Sequence, residues 1–230
     1  MCGRIDQNQT ARFYASNFGW VDAVYDSGSE PHYNVSPGTF RPVMHIEKGE
    51  RRVDDVFWSY RPAWAEKAPA PGRKKIPIAI NAKVEKLMGA YWKPLMREGR
   101  AIVGASAWYE WTGPKGGKQP WHIHRKDGEP IFILALANFG PAGEHREEAG
   151  FVLVTADSEG GMVDVHDRRP VVFSAADAQR WLDPRTSAEQ AAELARTAAL
   201  AADMFEWRRV STEVNRAGTD GPQLAIPIDS

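Results

Sequence analysis

Cys2 is the only cysteine of the chain and stands directly after the opening methionine. If Met1 is removed, Cys2 carries a free α-amine beside its thiol, and the ordinary pKa values of these two groups are about 8 and about 8.5. Both groups are therefore partly nucleophilic near neutral pH. A 1,2-aminothiol condenses with an aldehyde, after which the thiol closes a five-membered thiazolidine ring. The position next to a removable methionine favours this chemistry over an incidental thiol on a frayed chain end.

Three further residues carry groups that could assist such a reaction. Glu110 lies among aromatic residues at the end of an apolar run, a setting that raises a carboxyl pKa and suits acid–base catalysis. Alternation along a strand could instead place it on a solvent face. Asn81 either contributes an amide to a site or simply caps a helix. His166 could shuttle protons or bind phosphate, and the alternative is that it supports a loop.

Two histidines, His122 and His124, are two positions apart in a predicted strand and would share one face. This spacing can bind a metal ion. No cysteine or acidic cluster lies near them in the sequence, so we predict no metal site.

The net charge of −1 excludes nucleic-acid binding through the overall electrostatic field. Any contact with nucleic acid must therefore use a local patch of cations. The candidates are Arg4, Arg61, Arg73, Lys74, Lys75, Lys83, Arg168 and Arg169. Each of them, taken singly, is interpreted as a solvated surface charge.

Short β-type runs separated by glycine- and proline-rich breaks dominate the chain after residue 40. They cover residues 40–46, 52–58, 76–81, 101–111, 121–125, 131–137, 151–156 and 170–173, and one clear break is 113–117. Residues 68–75 are typical of a surface loop. Eight strand candidates with few helices between them predict an α+β fold with a curved, barrel-like, mostly antiparallel sheet and peripheral helices.

Helix signals are fewer and lie mainly at the ends of the chain. A capping box of Asp6 and Gln9 predicts a first helix that runs to about Phe18 and stops at Gly19. Residues 83–96 are expected to be helical. Two late helices are predicted from capping pairs, Ser174 with Asp177 and Ser187 with Gln190.

Length and composition indicate one soluble domain over residues 1–230, in which the role of the tail 211–230 is not assigned. Apolar residues make up 43 % of the chain, and it contains nine tryptophans but no second cysteine for a disulfide. No apolar run reaches transmembrane length, and no basic segment followed by an apolar stretch opens the chain. We therefore expect a cytoplasmic protein.

The chain resembles the SRAP family, the SOS-response-associated peptidase-like proteins that shield abasic sites in single-stranded DNA. The resemblance extends to about Val210. It is carried by the order and spacing of Met-Cys-Gly-Arg at 1–4, Tyr-Asn-Val-Ser-Pro-Gly at 33–38, Trp58 with Pro62 and Trp64, Asn81, Tyr-Glu-Trp at 109–111 and His-Asp-Arg-Arg-Pro at 166–170.

The resemblance implies a role for each matching residue. Cys2 would be the crosslinking nucleophile once Met1 is removed by self-processing. Asn81 would orient the reacting centre, Glu110 would move protons, and His166 would support the opened sugar. Single-stranded DNA would be gripped by Arg4, Trp64, Lys83, Arg168 and Arg169. The protein would act as a monomer, without a cofactor and without a membrane partner.

The chain departs from the family pattern at three places. Lys83 stands where the family usually has arginine, and an arginine common near residues 91–92 is missing. The usual Ala-Asp-Gly-Phe-Tyr-Glu-Trp stretch reads Ala-Ser-Ala-Trp-Tyr-Glu-Trp at 105–111. Lysine is a point charge where arginine offers a two-pronged fork, so these departures predict a weaker grip on phosphate rather than altered chemistry.

Two functions of other classes also fit the sequence. Cys2 could be the nucleophile of an N-terminal hydrolase that acts on amides, with its own amine as the base. Alternatively, the fold could be a non-covalent single-strand-binding module in which Cys2 is incidental.

Overall fold

The computed structural model describes residues 2–65, 76–141, 143 and 145–229. The predicted surface loop at 68–75, with its cations Arg73, Lys74 and Lys75, lies outside the described residues, as does Met1. The strands are β1 Ile5–Gln7, β2 Val24–Asp26, β3 His32–Val35, β4 Phe40–Glu47, β5 Glu50–Trp58, β6 Asn81–Lys83, β7 Arg100–Ala105, β8 Ala107–Thr112, β9 Gln119–Arg125, β10 Ile131–Ala137, β11 Gly150–Asp157, β12 Arg168–Pro170, β13 Val172–Phe173 and β14 Phe205–Arg209. The α-helices are α1 Ala11–Asn17, α2 Lys93–Glu98, α3 Ala175–Leu182 and α4 Ala188–Thr197.

A closed ring of strands forms the centre of the fold. Strands β4, β5, β11, β10 and β7 pair in that order, and a contact between Met44 of β4 and Ile102 of β7 completes the ring. All these pairs are antiparallel except β5 with β11, and β6 adds to β11 in parallel. The predicted α+β fold with a barrel-like, mostly antiparallel sheet is confirmed.

A second sheet covers one side of this barrel. Its strand order is β14-β9-β8-β1-β3, and its apolar side chains pack against those of the barrel in one buried cluster. Ile5 and Trp108 of the second sheet meet Trp58 and Ile133 of the barrel there, and Cys2 belongs to the same cluster. The segment that enters β1 is therefore held between the two sheets, and Cys2 is part of the core.

The sequence predicted the caps of the two late helices correctly and the cap of the first helix wrongly. Ser174 and Ser187 accept hydrogen bonds at the starts of α3 and α4, and Ser187 forms a full capping box with Gln190. The first helix is capped by Thr10, because Asp6 belongs to β1 and its carboxylate binds His122 instead. Gly19 follows this helix at a φ of 85°, a conformation that glycine adopts without strain.

Three predicted elements are divided or displaced. The run 101–111 breaks at Ser106 into β7 and β8, which belong to different sheets. The strand expected over 76–81 begins only at Asn81. The helix expected over 83–96 is a 3-10 turn at Val84–Lys86 and the short α2, because Pro94 lacks an N–H and is accepted only in a first helical turn.

The tail beyond residue 210 packs against the second sheet. Val214 and Leu224 are fully buried and contact Tyr109 of β8 in a small apolar cluster. The side-chain amide of Asn34 donates to the backbone carbonyl oxygens of Val214, Arg216 and Thr219. Among the described residues, no helix combines the length and apolar character that crossing a membrane requires.

Candidate functional site

Cys2 lies at the centre of the candidate site, shortly before β1. Cys2 is fully buried, and its backbone carbonyl accepts a 2.9 Å hydrogen bond from the side-chain amide of Asn81. Burial first, and then the negative charge of Glu110, raise the pKa of the Cys2 thiol well above its ordinary range. The thiol is therefore neutral at pH 7 and needs a base when it attacks.

Asn81 reaches Cys2 from β6, where it pairs with Leu153 of the neighbouring barrel strand. Because Asn81 is the first residue of a strand, it does not cap a helix, and that alternative is wrong. Its Nδ2 donates to the Cys2 carbonyl, whereas its Oδ1 is buried and accepts no hydrogen bond from the described residues. One acceptor of the site thus remains available to a bound group.

Glu110 points from β8 into the protein and is only 3 % exposed, so the alternative of a solvent-facing glutamate is wrong. Burial raises the pKa of Glu110 to about 7. At neutral pH the carboxyl group is thus present in both protonation states. A group with this property can donate a proton in one step and accept a proton in the next.

His166 faces Glu110 across the site, with its Nε2 at 3.8 Å from Oε2 of the carboxylate. Its Nδ1 accepts a 2.9 Å hydrogen bond from the backbone N–H of Arg168. The exposed Asp167 carboxylate lies 2.8 Å from the same Nδ1. Burial lowers the pKa of His166, so the neutral ring is favoured at pH 7.

Arg4 directly precedes β1 and lines a surface pocket. Its guanidinium donates to the carbonyl of Val214 at 2.9 Å and lies 5.7 Å from the ring centre of Trp111. The pocket has a volume of about 390 Å³ and also includes Lys118. A cation and an aromatic ring together suit a nucleotide phosphate and base.

The sequence motifs did not single out Lys118. Burial has the largest influence on both groups, since it raises the pKa of Glu110 and lowers that of His166, and the positive charge of Lys118 lowers both pKa values to a smaller extent. Lys118 lines the same pocket as Arg4 and Trp111. The register of the β8–β9 hairpin could have indicated the position of Lys118. Thr112 pairs with Gln119, and this pairing brings Lys118 to the end of the strand that carries Glu110.

Two other predicted contacts remain exposed. Lys83 ends β6 two residues after Asn81, and alternation along the strand therefore places both on the same face. Lys83 has no ion pair with any of the described residues. Trp64 is 55 % exposed, with its ring edge-on to Tyr91 at 5.9 Å between centroids. Both side chains can meet a ligand from solvent.

Arg168 and Arg169, which were expected to grip phosphates, point into the protein and are 6 % and 4 % exposed. Arg168 contacts the carboxylates of Glu85 and Asp157, and Arg169 contacts that of Glu159. The structure therefore does not present them beside Lys83 as surface cations. An arginine in the sequence can be either solvated or buried, so the sequence alone could not predict that these two side chains point inward.

The paired histidines belong to a different part of the molecule. His122 contacts Asp6 at 3.0 Å and His124 contacts Glu206 at 2.8 Å. His122 pairs with Tyr109 and thus faces away from the side of the sheet that carries Glu110. In the described ranges, no group of three or more His, Cys, Asp or Glu side chains is arranged to hold a metal ion.

Comparison with known proteins identifies the family. A family model described as SOS response associated peptidase (SRAP) matches residues 1–217. The chain belongs to the SRAP family. Among its SRAP relatives, the abasic site processing protein YedK of Escherichia coli K12 is 37 % identical over 233 residues, covering 99 % of this chain and 100 % of that protein. The abasic site processing protein HMCES of Gallus gallus is 25 % identical over 230 residues, covering 86 % of this chain and 67 % of the relative.

Solved structures support the same fold. A phage-related protein of Bordetella bronchiseptica superposes with a TM-score of 0.74 at 36 % identity, covering 91 % of this chain and 94 % of that one. A protein of Bacteroides thetaiotaomicron reaches a TM-score of 0.78 at 18 % identity, covering 98 % and 99 %. At such low identity, the second likeness concerns the SRAP fold alone.

Proposed function

We propose that this protein processes abasic sites by forming a covalent thiazolidine between Cys2 and the lesion in single-stranded DNA. The observation that carries the proposal is the convergence of Asn81, Glu110 and His166 around a buried Cys2 near the start of β1. The relatives named abasic site processing proteins support the same substrate. The crosslink would shield the lesion from strand cleavage, with the protein acting as a monomer in the cytoplasm and on the nucleoid.

The reaction begins with a sugar that must open. An abasic site is mostly a closed hemiacetal, and ring opening to the C1′ aldehyde needs a proton donor and a proton acceptor. Glu110, with a pKa of about 7, serves as both. His166, 3.8 Å from Glu110, stabilises the 4′-hydroxyl that ring opening frees.

Ring closure follows in two balanced steps. The neutral amine of Cys2 attacks C1′, and protonation by Glu110 expels the aldehyde oxygen as water to leave an iminium. The Cys2 sulfur then bonds to C1′, and its proton passes to the Glu110 carboxylate. Because the pKa of the buried thiol is raised, this proton transfer must accompany the attack. The sum is aldehyde plus aminothiol giving thiazolidine and one water.

The second step explains how the strand stays whole. An iminium acidifies the neighbouring C2′ proton and promotes β-elimination, which cuts the DNA backbone. Addition of the Cys2 sulfur turns C1′ into a saturated carbon and removes this electron sink. Asn81 supports the product, because its Nδ2 holds the Cys2 carbonyl and its Oδ1 can accept the ring N–H.

DNA contacts are assigned to three exposed residues, Lys83, Lys118 and Trp64, and to the half-buried Arg4 and Trp111. Lys83 and Arg4, together with Lys118, meet flanking phosphates, while Trp64 and Trp111 stack on unpaired bases. Each stacked base contributes about 1–3 kcal/mol and tolerates any sequence. Arg168 and Arg169, which the sequence placed in this set, are assigned to internal contacts.

The aminothiol requires that Met1 be absent. We propose that the protein removes Met1 itself: the Cys2 sulfur attacks the Met1 carbonyl carbon, the peptide C–N bond breaks as the Cys2 nitrogen takes up the proton, and water then hydrolyses the thioester to release free methionine and the thiol. An N-terminal hydrolase that acts on other amides, and a non-covalent binding module, are the two competing functions.

One assay separates the three functions. The protein is incubated with an abasic single-stranded oligonucleotide, an intact strand of the same sequence, and a model amide. Denaturing electrophoresis should show a heat-stable adduct with the abasic strand alone, and Cys2→Ser should lose it. Amide hydrolysis would favour the hydrolase, whereas equal non-covalent binding of both strands without an adduct would favour the binding module.

A further inference from the structure

The tail of the chain forms a strap, residues 211–229, on the face of the second sheet that points away from the barrel. The two ends of this strap lie together. Val210 and Pro227 form an antiparallel β-bridge, and the backbone N–H of Ile228 donates to the carbonyl of Arg209 at 3.0 Å. The strap is therefore a closed loop that begins and ends beside β14.

The middle of the strap contacts each of the three residues that line the pocket beside Arg4 and are assigned to DNA. The guanidinium of Arg4 donates to the carbonyl of Val214 at 2.9 Å. The indole N–H of Trp111 donates to the side-chain oxygen of Asn215, and the Asn215 amide donates to the backbone carbonyl of Lys118 at 3.2 Å. Two consecutive residues of the strap thus contact the guanidinium, the indole and the Lys118 backbone.

Asn34 of β3 joins the strap to Arg4 and is only 2 % exposed. Its side-chain oxygen accepts a hydrogen bond from the Arg4 guanidinium. Its side-chain nitrogen lies 2.9 Å from the carbonyl oxygen of Thr219 and 3.2 Å from that of Arg216. One buried amide therefore fixes the Arg4 side chain and the strap relative to each other.

Two anchors hold the strap at points outside the pocket. The carboxylate of Asp220 accepts a 2.7 Å hydrogen bond from the backbone N–H of Tyr33 in β3. Leu224 is fully buried and packs in one apolar cluster with Tyr109 of β8. Neither anchor lines the pocket, and both lie beyond residue 217, where the match to the SRAP family model ends.

We propose that the strap positions Arg4 and Trp111 for single-stranded DNA, with Asn34 as its central positioning residue. A side chain that is already ordered loses less conformational entropy when it binds a ligand, so a held arginine grips phosphate more tightly than a free one. This inference rests on the proposed function, because DNA is the ligand of the pocket. It adds that the grip on DNA depends on anchors that do not line the pocket.

Asp220→Ala tests the strap because charge and positioning predict opposite results. The change removes a negative charge, so electrostatics alone predicts equal or tighter binding of DNA. It also removes the acceptor for the Tyr33 N–H, and a loosened strap should lower the affinity for an intact single strand by about 2- to 10-fold. The crosslinking rate with an abasic strand at saturating protein should stay at the wild-type value. Fluorescence anisotropy and single-turnover electrophoresis measure the two quantities.

A conservative variant and a matched control separate the hydrogen bond from the charge. Asp220→Asn removes the same charge but keeps an oxygen that can accept from the Tyr33 N–H, so it should retain the wild-type affinity. Asp127→Ala is the control, because Asp127 also accepts from a backbone N–H, that of Glu129 at 3.1 Å. The two aspartate side chains are 41 % and 42 % exposed. Asp127→Ala should leave both the affinity and the saturating rate unchanged.

Leu224→Ala tests the second anchor. The lost apolar contact should loosen the strap and weaken binding at least as much as Asp220→Ala does. Leu182→Ala is its control, because Leu182 is 4 % exposed in α3 and packs in a different apolar cluster. Leu182→Ala should lower the free energy of unfolding without changing the affinity. Thermal unfolding shows whether each variant is folded, and Asp220→Ala alone decides if Leu224→Ala is not.

The outcomes distinguish the strap from the proposed function. Wild-type or tighter binding by Asp220→Ala would overturn the strap, and so would equal losses of affinity in Leu224→Ala and Leu182→Ala. A wild-type protein that binds single strands but forms no adduct would overturn the covalent function, while weaker binding by Asp220→Ala would still support the strap. A wild-type protein that binds no single strand would overturn both.

Discussion

His166 Nε2 lies 3.8 Å from Glu110 Oε2, and burial moves the pKa values of the two groups in opposite directions, each toward its uncharged form. Glu110 holds its proton up to a pH of about 7, while His166 loses its proton more readily than a free imidazole. At neutral pH His166 is therefore mainly neutral, and Glu110 is present in both protonation states. This pairing suits a site that must protonate and deprotonate one sugar in successive steps.

Replacing Glu110 with glutamine should slow crosslinking and its reversal together, since a group that moves a proton forward also moves it back. The expected loss is about 10²- to 10⁴-fold, the usual contribution of a general acid–base. Single-turnover adduct formation and release, followed by denaturing electrophoresis between pH 5 and 8, measure both rates. Unchanged rates over that range would make Glu110 a structural carboxylate.

The raised pKa of Glu110 also predicts how stability depends on pH. Because the folded state holds this proton more tightly than the unfolded state, Glu110 stabilises the fold at low pH, and this contribution is lost as the pH rises from about 4 to about 7. Glu110→Gln cannot lose a proton. Its free energy of unfolding should therefore gain on the wild type by about 1.4 kcal/mol for each unit of the shift, or about 3 kcal/mol between pH 4 and 8. A constant difference across urea titrations at these pH values would contradict the raised pKa.

Asn81→Ala should slow crosslinking while the fold is retained. The change leaves the buried carbonyl of Cys2 without its donor, at a cost of about 1–3 kcal/mol, or roughly 5- to 150-fold in rate if the donor is used fully in the transition state. Asn138→Ala is the matched control, because Asn138 also donates to a backbone carbonyl, that of Glu148. Equal effects of the two variants on the crosslinking rate would show that Asn81 only supports the fold.

Lys83 should contribute affinity rather than chemistry. Lys83→Ala should weaken binding to single strands of any sequence and flatten the salt slope by roughly one unit. Lys83→Arg should match or exceed the wild type, because a guanidinium adds a second hydrogen bond to phosphate. Fluorescence anisotropy at several salt concentrations measures both quantities, with the exposed Lys126→Ala as the control. An unchanged affinity in Lys83→Ala would show that Lys83 does not contact DNA.

Local sequence patterns predicted which strands and helices form better than they predicted which strands pair with each other. The capping box of Ser187 and Gln190 and the strand Ile131–Ala137 involve neighbouring residues, and both were found as expected. Closure of the barrel depends on the parallel pairing of β5 with β11, which joins residues about ninety positions apart and leaves no local signature. The same kind of long-range pairing, between β6 and β11, explains why Asn81 starts a strand instead of a helix.

The site residues show the same division. The aromatic surroundings of Glu110 correctly indicated a raised pKa, because burial could be read from its neighbours. The inward orientation of Arg168 could not be predicted from its neighbours in the sequence, because it depends on contacts with Glu85 and Asp157 in other elements. Lys118 joins the site only through the register of the β8–β9 hairpin.

The most direct test of the account is the intact mass of the adduct formed with an abasic single-stranded oligonucleotide. The free protein should lack Met1, and the adduct should weigh the sum of that protein and the whole oligonucleotide minus one water. Peptide fragmentation should place the link on Cys2, and borohydride should leave the mass unchanged because no C=N bond remains. A free protein that retains Met1, a link on a lysine, a gain of two hydrogens after borohydride, or an adduct that carries a cleaved strand would contradict a thiazolidine at Cys2.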